Sequence, residues 1–498
     1  MAPGAGRRSG VEAGGIVGGT TGLPVERPLK QTNRGEKERD MAVFDSVLTG
    51  GRVMDPESGT DRLANVGISD GVIGAITSET LEGHDSIDAK GLVVAPGAVD
   101  LHSHGQDDEN YRVQALDGVT TALELELGVL DVDGWYGERL GNALINFGAS
   151  VGHIPVRMAV MNDPGDMAPV ADGAYKAASE AQIKEMQELL HRGLRSGALA
   201  IGFVLALAPA VSRWEALEMF RVAAHHGANC HVHMRGMGHK EPLTSIEGLS
   251  ELIAASVTSG APLHLDHVNS SGQHAVPELL QMIEEGRSHG VDVTTECYPY
   301  TAGMAPIEAA MFNEGWTDKF SLDYGDLEWA DTGERLTASS FAEYREIGGM
   351  VIAHSMRQDL VDATVTSPLT AIASDGYLKA GKGHPRTAGT YSKVLGHYVR
   401  ESRVLSLMDA IRKIALMPAQ RMESLAPAFK KKGRASVGAD ADLMVFDPAK
   451  VIDHSTYREP TLPPEGMLHV LVNGVPVVRN GAVQEGVSPG RGIRAPGA

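Results

Sequence analysis

A (β/α)8 TIM-like barrel accompanied by a small β-rich domain is the fold this sequence predicts, on three observations. Strand-like apolar runs alternate with amphipathic helical stretches about eight times through the middle of the chain. Both chain ends read instead as short β-strands joined by tight turns. Histidines and acids recur at the downstream ends of the middle strands, the end of a parallel barrel where sites are built.

The first forty residues are rich in Gly, Arg and Pro, and Arg7 and Arg8 stand without the apolar stretch that a secretory signal needs. They read as a disordered leader, or as residues ahead of a true start at Met41. Order begins near Ala42 with "VFDSVLTGGRVMD" and "LANVGISDGVIGAI", in which Gly50-Gly51 and Asp70-Gly71 are hairpin turn chemistry. "ADLMVFD" and "MLHVLVNGVPVVRNGAV", with an Asn473-Gly474 turn, are their counterparts at the far end. Residues 41–95 and 432–486 are therefore expected to form one composite β-rich domain, 96–431 the barrel and 487–498 a flexible tail. The barrel strand candidates are "GLVVAPGAVDLH", "VTTALELEL", "VRMAVM", "ALAIGFVLAL", "NCHVHM", "PLHLDHV", "VDVTTECYPY" and "TAIASDG". Helical periodicity covers 178–195, 214–226, 248–259 and 276–289, with a further helix over 406–421.

Composition narrows the function. Of 498 residues, 44 are Lys or Arg and 64 Asp or Glu, giving a formal net charge of −20. Such a surface repels phosphate backbones and anionic lipid, which argues against nucleic-acid and membrane partners. No run approaches the roughly 18–20 apolar residues of a membrane span. Two cysteines, Cys230 and Cys297, are too few for a disulfide framework. The expectation is a cytoplasmic protein acting on a small molecule, and a homo-oligomer is compatible with it. Cys297 reads as a buried thiol and Lys430–Lys432 as a solvated loop.

His102 and His104 end the first barrel strand in "VDLHSHG". Residues two apart on a strand point the same way, so both imidazoles can face the barrel axis and hold one metal. His233 ends "CHVHM", His267 ends "LHLDH" and Asp375 ends "AIASD", each a ligand type at a strand's downstream end. His231 lies deeper than His233, and His264 has the opposite parity to His267, so both read as core or helix-facing. Glu124 and Glu126 share one face of an otherwise apolar strand, where carboxylates are costly unless paired or bound to a cation. Glu126, nearer the mouth, is the expected metal ligand.

Together these residues resemble the amidohydrolase superfamily and, within it, the N-acyl-D-amino-acid deacylases. The likeness runs from Ala42 to Val483 and rests on "APGAVDLHSHG", "GVTT", "GHIPVR", "HMRGMG", "DHVNSSG", "ECYPYTAG", "SDG", "HPRTAGTY" and "GADADLMVFDP" in combination. The resemblance implies that the composite domain is a β-sandwich beside a metal-dependent barrel, with one or two divalent ions, Zn2+ foremost, His102 and His104 at one position and His233 and His267 at the other. It implies Asp375 as catalytic acid/base and Tyr298 as the group polarising the substrate carbonyl. Three departures stand out. "LELG" replaces the family's cysteine ligand, so Glu126 would substitute a harder carboxylate for a thiolate. Asn269 and Leu207 occupy positions where the family's lysine and tyrosine help hold the substrate carboxylate, while Arg386 in "HPR" remains. The stretch between "YTAG" and "SDG" reads as short, implying a reduced lid. His153, in "GHIPVR", is a candidate either for a hydrogen bond at the site or for packing.

The implied activity is hydrolysis of the linear amide of an N-acyl amino acid, the D configuration included, by metal-activated water with Asp375 moving the proton. Asn269 and Leu207 leave an amidase for apolar or aromatic N-acyl amines lacking a carboxylate as the alternative. Cyclic-amide hydrolysis or deamination shares the barrel and the His-x-His pair. The fourth strand, "GALAIGFVLALAP", carries no lysine for the carbamylated centre of the cyclic amidases. A non-catalytic binding homologue is the remaining reading, and metal content would separate it.

Overall fold

The computed structural model describes residues 43–237 and 241–496, so the expected leader over 1–40 lies outside the described residues. Eight parallel strands follow one another in a single sheet: Ala98–Asp100, Val119–Val129, Asn146–Gly152, Ala200–Val204, Asn229–His233, Leu263–Leu265, Val293–Cys297 and Thr370–Ile372. The first and eighth meet just past their ends, where Asp375 N donates to His102 O at 2.8 Å and His104 N to Gly376 O at 2.9 Å. Asp100 reinforces this seam, its Oδ1 accepting from Ser374 N at 3.0 Å and His102 N at 3.1 Å. Closing the barrel thus brings His102, His104 and Asp375 together through backbone geometry alone.

The helices Glu180–Arg195, Arg213–His226 and Ser245–Ser259 start where the sequence permits, at Ser179, Ser212 and Thr244, whose side chains accept from the N–H three residues on. Their apolar stripes, such as Ile183, Met186, Leu190 and Leu194, are buried. The third strand, however, is not "VRMAVM". That stretch belongs to the helix His153–Met161, in which Ile154, Met158 and Met161 recur at helical spacing. The strand is the preceding "NFGASVG", fully buried yet poor in large apolar residues. Its small residues admit a neighbour's backbone: a Cβ on Gly152 would stand 2.0 Å from Leu127 O.

Both chain ends contribute to one nine-stranded sheet, joined where Leu443–Phe446 runs antiparallel to Val93–Pro96. One face encloses Leu48, Val66, Ile68, Leu443 and Leu471, while Met54, Val93, Met444 and Phe446 on the other join the barrel's core. Asp70-Gly71 and Asn473-Gly474 have positive φ at both residues and join adjacent antiparallel strands, as two-residue hairpins require. Gly50-Gly51 is not a hairpin. It interrupts the single strand Val43–Asp55 as a bulge, with φ +69° at Gly50, where that strand changes partner from Glu82–Asp88 to Val93–Pro96.

The tail expected to be flexible is docked through residue 496. Ile493 N donates to Phe147 O at 2.8 Å, Ala495 N to Gly197 O at 3.0 Å, and the Tyr136 hydroxyl to Ile493 O at 2.6 Å. "GRGIRAP" carries almost no apolar signal because backbone pairing secures it. The stretch between "YTAG" and "SDG", expected to leave a reduced lid, folds around a core of its own. Gly303–Pro306, Leu327–Trp329 and Met350–Ala353 form a three-stranded antiparallel sheet around Phe312, Trp316, Phe320, Trp329 and Phe341. The helical run expected over 406–421 spans Leu407–Met422 and widens to π geometry over Arg412–Leu416. There Lys413 Nζ donates to Thr370 O at 2.5 Å and reaches Thr370 Oγ1 at 3.0 Å, tying this helix to the start of the eighth strand.

Candidate active site and metal centre

The second strand decides the centre. Glu124 and Glu126 leave it on one face but take different partners. Glu124 Oε1 accepts from Leu127 N and Gly128 N, both at 3.2 Å, where the strand's register with its neighbour breaks. Its Oε2 lies 2.8 Å from His104 Nδ1. Glu126 is thereby carried to the middle of the histidines. A Cβ on Gly202 would stand 2.3 Å from Glu126 O, so only glycine lets the fourth strand come this close.

Around Glu126 the ligand atoms fall into two groups. His102 Nε2 and His104 Nε2 are 3.2 Å apart, each 3.3 Å from Glu126 Oε2 and 3.4 Å from Asp375 Oδ1. Tetrahedral zinc with bonds of about 2.0–2.1 Å sets its ligand atoms roughly 3.3 Å apart. These edges match that spacing, so the donor set fits such an ion. Glu126 Oε1 faces the second group, 2.9 Å from both His233 Nδ1 and His267 Nε2. One carboxylate therefore spans two candidate ion positions, the second with three protein donors.

A profile of the Amidohydrolase family matches residues 85–142 and 161–478. The chain belongs to that family. It is 28% identical to a D-aminoacylase of Alcaligenes xylosoxydans xylosoxydans over 88% of this chain and 96% of that one. It is 29% identical to an N-acyl-D-glutamate deacylase of the same organism over 87% and 93%. Among solved structures, an N-acyl-D-glutamate deacylase from Bordetella bronchiseptica, complexed with zinc and a phosphonate inhibitor, superposes with a TM-score of 0.78 at 26% identity. It covers 91% of this chain and all of that one.

In this amidohydrolase the ligand side chains are held from behind. His102 Nδ1 lies 2.7 Å from Glu296 Oε1, and His267 Nδ1 lies 3.2 Å from Ser271 Oγ. Such partners fix imidazole tautomer and orientation. Two of the converging residues sit at left-handed backbone, His267 with φ +29° and Asp375 with φ +52°. Non-glycine residues reach that region at a cost and cluster at functional sites. His267 follows the sixth strand, and this twist turns it into the centre against the strand's parity. Burial by itself would push the imidazoles of His102 and His104 down, but Asp375 with Glu126, and Glu124, respectively, hold both well above the usual histidine range. Divalent metal would displace those protons, since ligand imidazoles bind in the neutral form.

Over this floor opens a cavity of roughly 1020 Å³, counting space open to solvent. Leu207 lines its wall as expected, with Met237, Met304, Met311 and Phe312. Arg386 opens the helix Arg386–Lys393, its Nη1 2.9 Å from Asp375 Oδ2 and its Cζ 4.6 Å from the Tyr298 ring centroid. That ion pair is off the hydrogen-bonding direction, so Nε and Nη1, both buried, keep unused donors. Burial would raise the Asp375 carboxyl, but the Arg386 guanidinium and His102 hold it far below the usual range. Tyr298 also lines the cavity, its hydroxyl pushed up to about 12 by burial.

Two residues considered for the substrate side, Asn269 and His153, do not line the cavity. Asn269 is buried, and its Nδ2 donates to Tyr298 O at 3.1 Å, which removes it from the cavity wall. His153 is fully buried behind the barrel wall, with Nε2 2.9 Å from Glu215 Oε1, a carboxylate also paired with Arg157 at 2.5 Å. It packs and does not line the cavity. His231 and His264 are not helix-facing: they are in-register neighbours with rings 4.5 Å apart, and His264 Nε2 reaches Glu296 Oε2 at 3.2 Å, on the same side as His102. Glu296 is the residue that sequence reasoning missed. Its signal was present, an acid inside the strand "VTTEC", the same oddity that singled out Glu124 and Glu126.

Proposed function

We propose that this amidohydrolase cleaves the linear amide of an N-acyl amino acid, and that it does so in the cytoplasm. The observation that carries the reading is the shared Asp375 carboxylate, one oxygen facing the paired histidines and the other facing a buried arginine with donors to spare. His102, His104, Glu126, His233, His267 and Asp375 are the residues that would hold one or two zinc ions. A divalent ion bound there supplies Lewis acidity, acidifying water and polarising an amide carbonyl.

The chain's own groups account for the remaining steps. Asp375, kept ionised, accepts the proton of the attacking water and returns it to the departing amine. The Tyr298 hydroxyl, protonated at neutral pH, donates to the oxygen on which charge develops. Arg386, whose side chain lines the cavity, receives the substrate carboxylate. The apolar wall of Leu207 and the methionines excludes water from the rest of the substrate.

That wall, with Asn269 committed to Tyr298 O, favours one second reading: an N-acyl amine without a carboxylate. A panel of N-acyl-D-amino acids, N-acyl-L-amino acids and carboxylate-free N-acyl amines tests both, with Asp375→Asn as control. Turnover of the acids that disappears in Asp375→Asn is expected. Turnover restricted to the carboxylate-free amides would keep the machinery and transfer the substrate class. No turnover of either by zinc-loaded protein would refute linear-amide hydrolysis.

A further inference from the structure

Beneath the centre just described lies a second set of ligand side chains. His231 stands two residues before His233 on the fifth strand, and its in-register partner His264 on the sixth stands two before Asp266, the first residue past that strand's end, so all three point to the barrel's inner side. All three are buried, at 0%, 1% and 1% exposure. Their donor atoms lie within 4.8 Å of one another, and His231 Nδ1 is 3.6 Å from Asp266 Oδ1.

His264 is engaged at both ring nitrogens, Nδ1 2.7 Å from Thr294 Oγ1 and Nε2 3.2 Å from Glu296 Oε2, whereas His231 and Asp266 are left short of partners. Neither ring nitrogen of His231 has a hydrogen bond, nor has Asp266 Oδ2. Buried groups of this kind are ordinarily paired, and each orphan calls for an explanation. No Lys or Arg among the described residues pairs with Asp266 or Glu296; Arg421, near the start of the fifth strand, is paired with Asp292 at 2.6 Å instead. Glu296 Oε2 adds a second carboxylate at the edge, 3.2 Å from His264 Nε2.

We propose that His231, His264 and Asp266 form a further divalent-cation site inside the barrel, separate from the two positions around Glu126. Two imidazoles and a carboxylate are a borderline donor set that suits Zn2+ or Co2+. The ion gives partners to the orphaned atoms of His231 and Asp266. His264 would exchange its Thr294 hydrogen bond for the ion and keep Nε2 on Glu296, whose other oxygen holds His102. Its role is to brace the ligand shell from below, and it touches no substrate.

The test separates the two levels. Chelator-stripped full-length chain is reloaded with Co2+ and, separately, Zn2+, and bound metal is counted by mass spectrometry. Variants are His104→Ala/His233→Ala, which weakens the upper positions, and the same protein with His231→Leu added. The upper-site variant is expected to retain one ion per chain, and the triple variant none. Retention of no ion by a natively folded upper-site variant would overturn the proposal and leave a buried water as the occupant. Should the variants fail to fold, anomalous scattering at the zinc edge from zinc-loaded wild-type crystals decides: a peak among His231, His264 and Asp266 supports the site, and its absence at full upper-site loading overturns it.

Discussion

Asp375 Oδ2 lies 2.9 Å from Arg386 Nη1, and the same carboxylate presents Oδ1 to His102 and His104 at 3.4 Å. The candidate proton-handling acid and the candidate clamp for the substrate carboxylate are therefore one electrostatic unit. Arg386→Lys keeps the charge but loses the planar fork. A charged hydrogen bond is worth about 1.5–3 kcal/mol, or roughly 10–100-fold. We expect kcat/KM for N-acyl amino acids to fall by about that factor, and for carboxylate-free amides to fall less. Equal losses on both substrates would remove Arg386 from substrate recognition.

Glu296 holds His102 from behind at 2.7 Å. Replacing such a partner of a metal-bound histidine typically lowers metal affinity about 10–100-fold. Glu296→Gln is expected to show that loss in a competition titration of Zn2+ against a chromogenic chelator, with the apo-protein's fold unchanged by circular dichroism. Unaltered affinity would contradict the assignment.

Glu215 pairs with Arg157 and His153 in a fully buried cluster outside the cavity. Removing one partner strands a buried charge at a cost of about 3–5 kcal/mol. Glu215→Ala should therefore unfold at markedly lower temperature while the molecules still folded retain the wild-type kcat. A selective loss of kcat at full stability would show that His153 acts in the chemistry after all.

Lys413 gives a pH signature of stability. Burial lowers its ammonium from 10.5 to about 8 in the fold. Between those values the unfolded chain still binds the proton while the folded chain has released it, so stability rises with pH across that window. Below pH 8 both states are protonated and the full penalty, about 3 kcal/mol at 1.36 kcal/mol per unit, weighs on the fold. Denaturant midpoints measured from pH 7.5 to 10.5 should climb in the wild type, with a smaller slope in Lys413→Met. Identical slopes would mean that Lys413 keeps its proton, held by Thr370 O.

Much of the site is legible before any coordinates. His102, His104, His233, His267 and Asp375 each end a strand segment, and Glu126 is conspicuous as an acid in an apolar run. These features are local, and a parallel barrel gathers strand ends at one mouth. What misled was equally local. "VRMAVM" outscored "NFGASVG" because hydrophobicity ranks strands poorly when small residues are needed for close backbone approach, as at Gly152. Parity failed for His267 because its φ of +29° reverses the alternation that parity assumes.

The order of chemical types along the chain was thus settled by sequence alone: a barrel, a sheet made from both termini, and a set of imidazoles and carboxylates at the strand ends. Which of two like residues does which job was settled only by tertiary structure. Glu124 and Glu126 differ by two positions on one face, yet the first caps its own bulge and orients His104 while the second stands between the histidine pairs. Asn269 and His153 likewise lost their expected roles to partners distant in the chain, Tyr298 and Glu215. The physical reason is common to all four. A buried polar group takes whichever partner the packed fold places within about 3 Å, and that choice depends on long-range geometry that no local pattern encodes.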